Sequence, residues 1–444
     1  MPPTELPIVD LDQLQATLPD SHPAIRFGQH SIDAHLQAYR EHGPIFQIET
    51  RGEPVVVIGG EEANADTWGN PDDWSYHDAM KGFRDELGPL HLTQLDGERH
   101  KRKRILLNDA FSMRAILGLI PRMDAVITRG LQALSASDTV ELHHALMSLL
   151  TRVQSSSTVP CDLTPEMVQQ LVRFEEEFIS AVLMEEPERS LYFARPDYQL
   201  LKDSTLAFLA ELVADRRANP EQGDLLCALM KAHEGRDFEP LNDEELLDDT
   251  YLLLIAGHGN TAKLICRVLH HAYAEPAVLA GLRAELDGFD GASLQGMDDF
   301  PILKNCILEC ERLYPAAPIL PRVAAREVDL LGHRLGSGQK VMHLHTLTHY
   351  LNELYEEPFA FKPQRWDSLN VRRERRNAHG TFGGGRHTCL GMNFARLHVP
   401  LTVGNVIARY DMRIESEVGC GPVVPGYEGS PETLEFFIGL SPRA

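Results

Sequence analysis

Apolar residues recur along this chain at two intervals. From Glu98 to Pro301 they mostly fall three and four apart, the period of helices with one buried face. Earlier, Ile45, Phe46 and Ile48, then Val55–Ile58, flank the turn signal Arg51-Gly52-Glu53-Pro54 and predict a β-hairpin over Pro44–Ile58. Thr164-Pro165-Glu166 reads as an N-cap with proline at the first helical position, opening an amphipathic helix to about Met184. Another helix is expected over Tyr198–Arg217, stopping before Pro220.

Asn242 and Glu245 have capping-box spacing, and the helical pattern after them is expected to run unbroken to Pro276. That is about 33 residues, or roughly 50 Å of helix. Its middle, Tyr251–Ile255, is apolar on every side, as a buried core helix requires. The sequence then reads Ala256-Gly257-His258-Gly259-Asn260-Thr261, and each interior glycine costs about 1 kcal/mol relative to alanine. Room for a ligand against the helix explains them, and so does close helix–helix packing. The last third mixes helices with short strands at Arg334–Leu335, Lys340–Leu344, Met412–Ile414 and Leu434–Ile438. The fold class expected is mainly α with a small β portion.

Composition narrows the function. With 42 Lys+Arg against 65 Asp+Glu the net charge is −23, so neither nucleic-acid backbone nor an anionic membrane is an expected partner. The first 20 residues have no basic and apolar signal segment, and no fully apolar run approaches the roughly 18 residues of a membrane span. Seven cysteines, odd in number and without a C-x-x-C pair, fit a reducing compartment; the expected location is cytoplasmic.

The residues richest in chemistry are Phe382-Gly383-Gly384-Gly385-Arg386-His387-Thr388-Cys389-Leu390-Gly391, followed by a helical pattern that Pro400 is expected to break locally. Consecutive glycines let backbone N–H groups approach a partner closely, and a cysteine before a helix N-terminus has its thiolate favoured. Nucleophilic catalysis, redox chemistry and soft-metal ligation all use such a cysteine.

The run resembles the haem-binding loop of the cytochrome P-450 family, F-x-x-G-x-[R/H]-x-C-x-G, at every fixed position. The resemblance implies a single-domain haem-thiolate fold over residues 1–444, with 1–40 as a lead-in and haem b between the long central helix and the cysteine-side helix. It makes Cys389 the iron ligand, Phe382 part of the cofactor loop, and His387, His100, Arg104 and Arg322 contacts of the haem propionates. His100 and Arg104 come from Asp96-Gly97-Glu98-Arg99-His100-Lys101-Arg102-Lys103-Arg104, where i,i+4 spacing sets them on one helix face. Glu309-x-x-Arg312, with Arg365 further on, resembles the family's buried structural triad. Lys101, Lys103, Arg372 and Arg373, with Arg375 and Arg376 beside them, are expected to form a basic dock for a ferredoxin or flavodoxin type electron donor.

The activity implied is insertion of one oxygen atom from O2 into a small or medium apolar organic substrate. The expected pocket wall includes Leu253, Ala256, Gly257 and Ile319. The central helix departs from the family's [A/G]-G-x-[D/E]-[T/S] pattern. Its acid position is Gly259, its alcohol position is Asn260, and Thr261 comes one residue late. These three are the candidate proton-handling positions. Without the acid–alcohol pair, a peroxide-driven or non-oxygenating enzyme (coupling, dehydration, isomerisation) and a non-catalytic haem sensor or carrier are the alternatives. His343, His345 and His349 read as ordinary structural histidines rather than a zinc site.

Overall fold

The computed structural model describes residues 6–443 except 20, 23–24, 28–29, 51, 183, 185, 369–374 and 418–435. Eight helices matter to the site. They are α1 (Gly97–Asn108), α2 (Leu142–Thr158), α3 (Pro165–Val182), α4 (Pro196–Ala218), α5 (Asp243–Leu254), α6 (His258–Ala274), α7 (Pro301–Leu313) and α8 (Met392–Arg409). The main strands are β1 (Ile45–Thr50), β2 (Glu53–Gly59), β3 (Trp74–Ser75), β4 (Val140–Glu141), β5 (Leu320–Ala324), β6 (Lys340–Leu344), β7 (Tyr410–Glu417) and β8 (Phe436–Pro442). β1 and β2 form the expected antiparallel hairpin, with Gln47 opposite Val56. One sheet runs β1-β2-β6-β5-β3, with β6 parallel to β2, and a second runs β7-β8-β4. A mainly helical chain with a small β portion is what the structure shows.

Local chemistry sets the helix starts. Thr164 Oγ1 accepts from the Met167 amide at the head of α3. At the head of α5, Asn242 Oδ1 accepts from the Glu245 amide while Glu245 accepts from the Asn242 amide, satisfying two orphan donors reciprocally. Pro400 does not break α8, which runs through it. Leu397, Val399, Leu401 and Val403 on either side are essentially fully buried, and their packing outweighs the hydrogen bond a proline removes.

The expectation of an unbroken central helix fails at Ile255–Gly257. Gly257 adopts φ +106°, a left-handed conformation open to glycine, and α6 starts afresh at His258. Just before the break the ladder widens, so that the Ile255 and Ala256 amides both donate to the Tyr251 carbonyl. The break lies where two apolar cores meet. Leu246, Tyr251, Leu253 and Leu254 of α5 pack with Phe174 and Phe178 of α3 and Tyr198 of α4. Ile265, Cys266, Val268 and Leu269 of α6 pack instead with α2, α7 and α8. Each half of the helix answers to its own core, and one glycine absorbs the mismatch between them.

Candidate active site

Cys389 sits in a loop fixed by its own backbone. The Cys389 amide donates to the Phe382 carbonyl at 2.9 Å, Gly383 donates to Gly380 at 2.8 Å, and Thr388 Oγ1 donates to Gly385 O at 2.8 Å. Gly384 and Gly385 are there because the indole and the backbone of Trp68 fill the space beside them. A Cβ at Gly384 would lie 2.2 Å from Trp68 Cδ2, and one at Gly385 would lie 2.5 Å from the Trp68 carbonyl. Upstream, His349 ties the loop to the core, accepting from the Gly380 amide at 2.9 Å and donating to the Arg312 carbonyl at 2.9 Å.

The Cys389 side chain is accessible on its surface yet surrounded by protein, the combination found on the wall of an internal cavity. Every residue from Thr381 to Arg396 keeps some accessible surface, although α8 then plunges into the core. Burial pushes the thiol up, while the Gly391 and Met392 amides and the Arg104 guanidinium pull the other way. The expectation of a favoured thiolate thus meets an opposing desolvation, which a metal cation at the sulfur would offset.

Beside the loop the structure brings His100, Arg104, Arg322 and His387 together. The His387 ring stacks on Tyr76 (centroids 3.4 Å apart) and lies 3.9 Å from the His100 ring. The Arg322 guanidinium covers the other participant, 4.3 Å from the Tyr76 centroid. Burial, followed by the repulsion of His100, Arg322, Arg386 and Arg104, drives His387 down to about 2. His100 is lowered to about 4, first by burial and then by Arg104 and Arg386. Two polar atoms in this buried cluster, His100 Nδ1 and Arg322 Nε, have no hydrogen-bond partner. The nearby carboxylate of Asp96 is already engaged by the Tyr76 and His77 amides and by Ser75 Oγ. Two guanidinium groups and two neutral imidazoles, with polar atoms left unpartnered next to a soft sulfur donor, fit a dianionic iron tetrapyrrole.

The expected triad is present and buried. Glu309 Oε1 and Oε2 accept from Arg312 Nη2 (2.9 Å) and Nε (3.0 Å). They also accept from Arg365 Nε, Trp366 Nε1 and the Lys362 amide. Burial alone would raise the Glu309 carboxyl, but these donors and charges hold it below the usual carboxylate range.

On the central helix, Ala256, Gly257, Asn260, Thr261 and Leu264 share the accessible stripe, whereas His258, Gly259 and Ala262 are buried. Leu253 departs from the expected pocket wall. It is only 1% exposed and packs within the α3–α5 core, because Gln154 and Thr158 hold its carbonyl against α2. Ile319 packs toward the N-terminal apolar cluster, and its neighbour Leu320 faces the cysteine loop at Gly383.

The expected basic dock changes most. Lys103 is fully buried, 3.0 Å from Asp249 Oδ1 and donating to the Leu90 carbonyl, and is no part of the surface. On a helix whose adjoining face carries His100, its side chain turns inward. Arg102 reaches Glu245, leaving Arg99 and Lys101 as the exposed cations of α1. Arg376 is exposed, Arg375 is half-buried over Tyr355, and Arg372 and Arg373 lie outside the described residues. His343 bonds Asn64, and among the described residues no group of three or more metal-ligating side chains is assembled.

Sequence reasoning missed Trp68, Asp249 and a buried carboxylate, Glu175, which accepts from the Gly259 amide at 3.4 Å. Only the excess of glycine at 383–385 hinted at Trp68; the others have partners too distant in sequence to leave a pattern.

The family model described as Cytochrome P450 matches residues 21–425. Among curated relatives, cyclooctat-9-en-7-ol 5-monooxygenase of Streptomyces melanosporofaciens is 31% identical over 201 residues, 45% of this chain and 44% of its own. Pentalenene oxygenase of Streptomyces avermitilis is 25% identical over 73% of this chain and 74% of its own. The solved structure of a retinoic acid-bound cyanobacterial cytochrome P450 superposes with a TM-score of 0.79 at 23% identity, covering 93% of this chain and 94% of its own. With the cysteine loop, the Arg–His cluster and the buried triad in place, the chain belongs to the cytochrome P450 family, as an oxidoreductase of the monooxygenase type.

Proposed function

We propose that this protein is a cytoplasmic monooxygenase, one domain over 1–444, that binds haem b and hydroxylates an apolar cyclic terpenoid. Its electrons would come from a separate ferredoxin or flavodoxin type donor. The carrying observation is Cys389, accessible yet enclosed by protein, in a loop beside the unpartnered polar atoms of His100 and Arg322; the accessible and mostly apolar residues Ala256, Gly257 and Leu264 would wall the substrate side. The names of the Streptomyces relatives supply the terpenoid class.

When bound, haem supplies the iron at which dioxygen is reduced and the C–H bond oxidised. The chain does the rest. Cys389 donates its sulfur, moderated by the Gly391 and Met392 amides. Arg104 and Arg322 would pair with the two propionates, and the His100 and His387 rings would donate hydrogen bonds to them. Apolar residues on the cavity wall desolvate and orient the hydrocarbon, and Asn260 and Thr261 present polar groups on the same stripe. The donor would dock near Lys101 and Arg376.

The test is an optical titration of the ferric protein with cyclic terpenes, read at the Soret band, followed by turnover under 18O2. A blue shift and one 18O per product support the reading. Product made only with peroxide moves the enzyme to the peroxide-driven class, and inertness to both oxidants would overturn the proposal.

A further inference from the structure

The central helix lacks a carboxylate at position 259, yet a carboxylate occupies that space. A Cβ built on Gly259 would lie 3.2 Å from Glu175 Oε1 and 3.4 Å from its Cδ. Glu175 comes from α3 and is 5% exposed. Its Oε1 accepts from the Gly259 amide, one of the orphan donors left at the head of α6 by the break. Its Oε2 is paired with His258 Nε2, and His258 Nδ1 lies 3.5 Å from Thr151 Oγ1. Gly257 itself offers no side-chain cap. A carboxylate and an imidazole are therefore held together, out of bulk water, against the break in the central helix.

We propose that Glu175 supplies from α3 the carboxylate that the central helix lacks, and that the Glu175–His258 pair delivers protons to the cavity across the break at Ile255–Gly257. This rests on the monooxygenase reading. The overall reaction is RH + O2 + 2e⁻ + 2H⁺ giving ROH + H2O, the electrons coming from the redox donor. The pair passes each proton to a water or hydroxyl at the break and is reprotonated from solvent, so it ends as it began. Glycine at 259 follows: any side chain there would displace the acid.

The surroundings suit a proton store with an exit to water. His143 of α2, Glu176 of α3, Tyr251 of α5, Lys263 of α6 and His398 of α8 face the pair electrostatically, and His144 and Glu141 in turn face Glu176. Glu176 and His144 approach to 4.0 Å with side chains 42% and 49% exposed, giving the cluster a contact with the surface.

Glu175→Gln keeps an acceptor for the Gly259 amide and nearly the same volume but holds no exchangeable acid proton. In the haem-loaded protein it should leave the Soret band, the substrate-induced shift and the unfolding temperature in place. Product formed per electron pair should drop at least about tenfold, with peroxide released instead. The pH dependence of the haem reduction potential, measured without substrate, should flatten. Glu175→Ala combined with Gly259→Asp returns the carboxylate to the helix and should recover both coupling and slope relative to Glu175→Ala alone. A Glu175→Gln protein with wild-type coupling and slope would overturn the proposal. So would a folded double variant no better than Glu175→Ala, which decides the matter should Glu175→Gln not fold. If no terpene is turned over by the wild type, the monooxygenase reading fails while the potential still reports on the pair.

Discussion

Glu309 shows how much one side chain carries. Five donors converge on its carboxylate from α7 and from the segment around Trp366, with no accessible surface left. Removing one partner leaves a charge buried without compensation, which costs about 3–5 kcal/mol. Arg312→Leu should lower the unfolding free energy measured in urea by that amount and reduce haem retention, since Arg312 also bonds the His349 and Pro358 carbonyls. The network is acid-labile in a definite direction. The native state holds Glu309 ionised below the usual range, so its contribution is full above the ordinary carboxylate pKa and is lost as pH falls through the depressed native value. Arg322→Ala should act differently, leaving stability nearly unchanged but lowering the Soret-to-protein absorbance ratio. Residues of this kind were legible in the sequence because their motifs are short and ordered: Glu309-x-x-Arg312 and the loop ending at Cys389. Glu175 was not, since a lone Glu in an amphipathic helix looks the same whether it faces water or a glycine 84 residues away.

At the scale of elements, the central helix was legible at its ends and illegible in the middle. Its capping box and apolar run are local chemistry, but whether two glycines bend a helix depends on which cores the halves join. Gly257→Ala tests the strain alone, because nothing lies within 4 Å of the added Cβ while φ stays at +106°. A loss of about 1–2 kcal/mol is expected in thermal unfolding, along with a weaker substrate-induced spectral shift. The acidic head of α5 makes a second prediction. Burial, and then Asp249, Glu244 and Glu245 against the pull of Lys103, raise Asp248 to about 8 from an ordinary 3.8. Between those values the native state holds a proton that the unfolded chain has released, so stability falls as pH rises from about 4 to 8. Asp248→Asn should flatten that slope and raise the urea midpoint at pH 8. Strand β5 was missed altogether, because Leu320-Pro321-Arg322 carries a proline and reads as loop. It pairs nonetheless, with Val341 opposite Arg322 in β6, and that pairing is what aims Arg322 at the cofactor cradle.

For the whole molecule, a net charge of −23 sets an expectation about partners, but charge counts could not say which lysines face water. Lys101 and Lys103 are two residues apart and do opposite things. Lys101→Gln should slow reduction by an acidic donor at low salt, with the difference vanishing as ionic strength rises, and should leave unfolding unchanged. Lys103→Gln strands Asp249 and should do the reverse, lowering the unfolding temperature without altering the salt dependence.

Trp68 beneath Gly384 and Gly385 has a consequence for biosynthesis. Trp68, which shapes the cysteine loop, lies more than 300 residues upstream of it, and the Arg–His cluster beside the loop comes from positions 100, 104, 322 and 387. No much shorter stretch of the chain contains the whole cradle. A nascent polypeptide still lacking Cys389 displays the basic walls without the sulfur, and an N-terminally truncated one keeps the sulfur in a loop with nothing to lean on. Haem capture is therefore a property of the finished translation product, and haem supply should limit the yield of active protein after synthesis rather than during it.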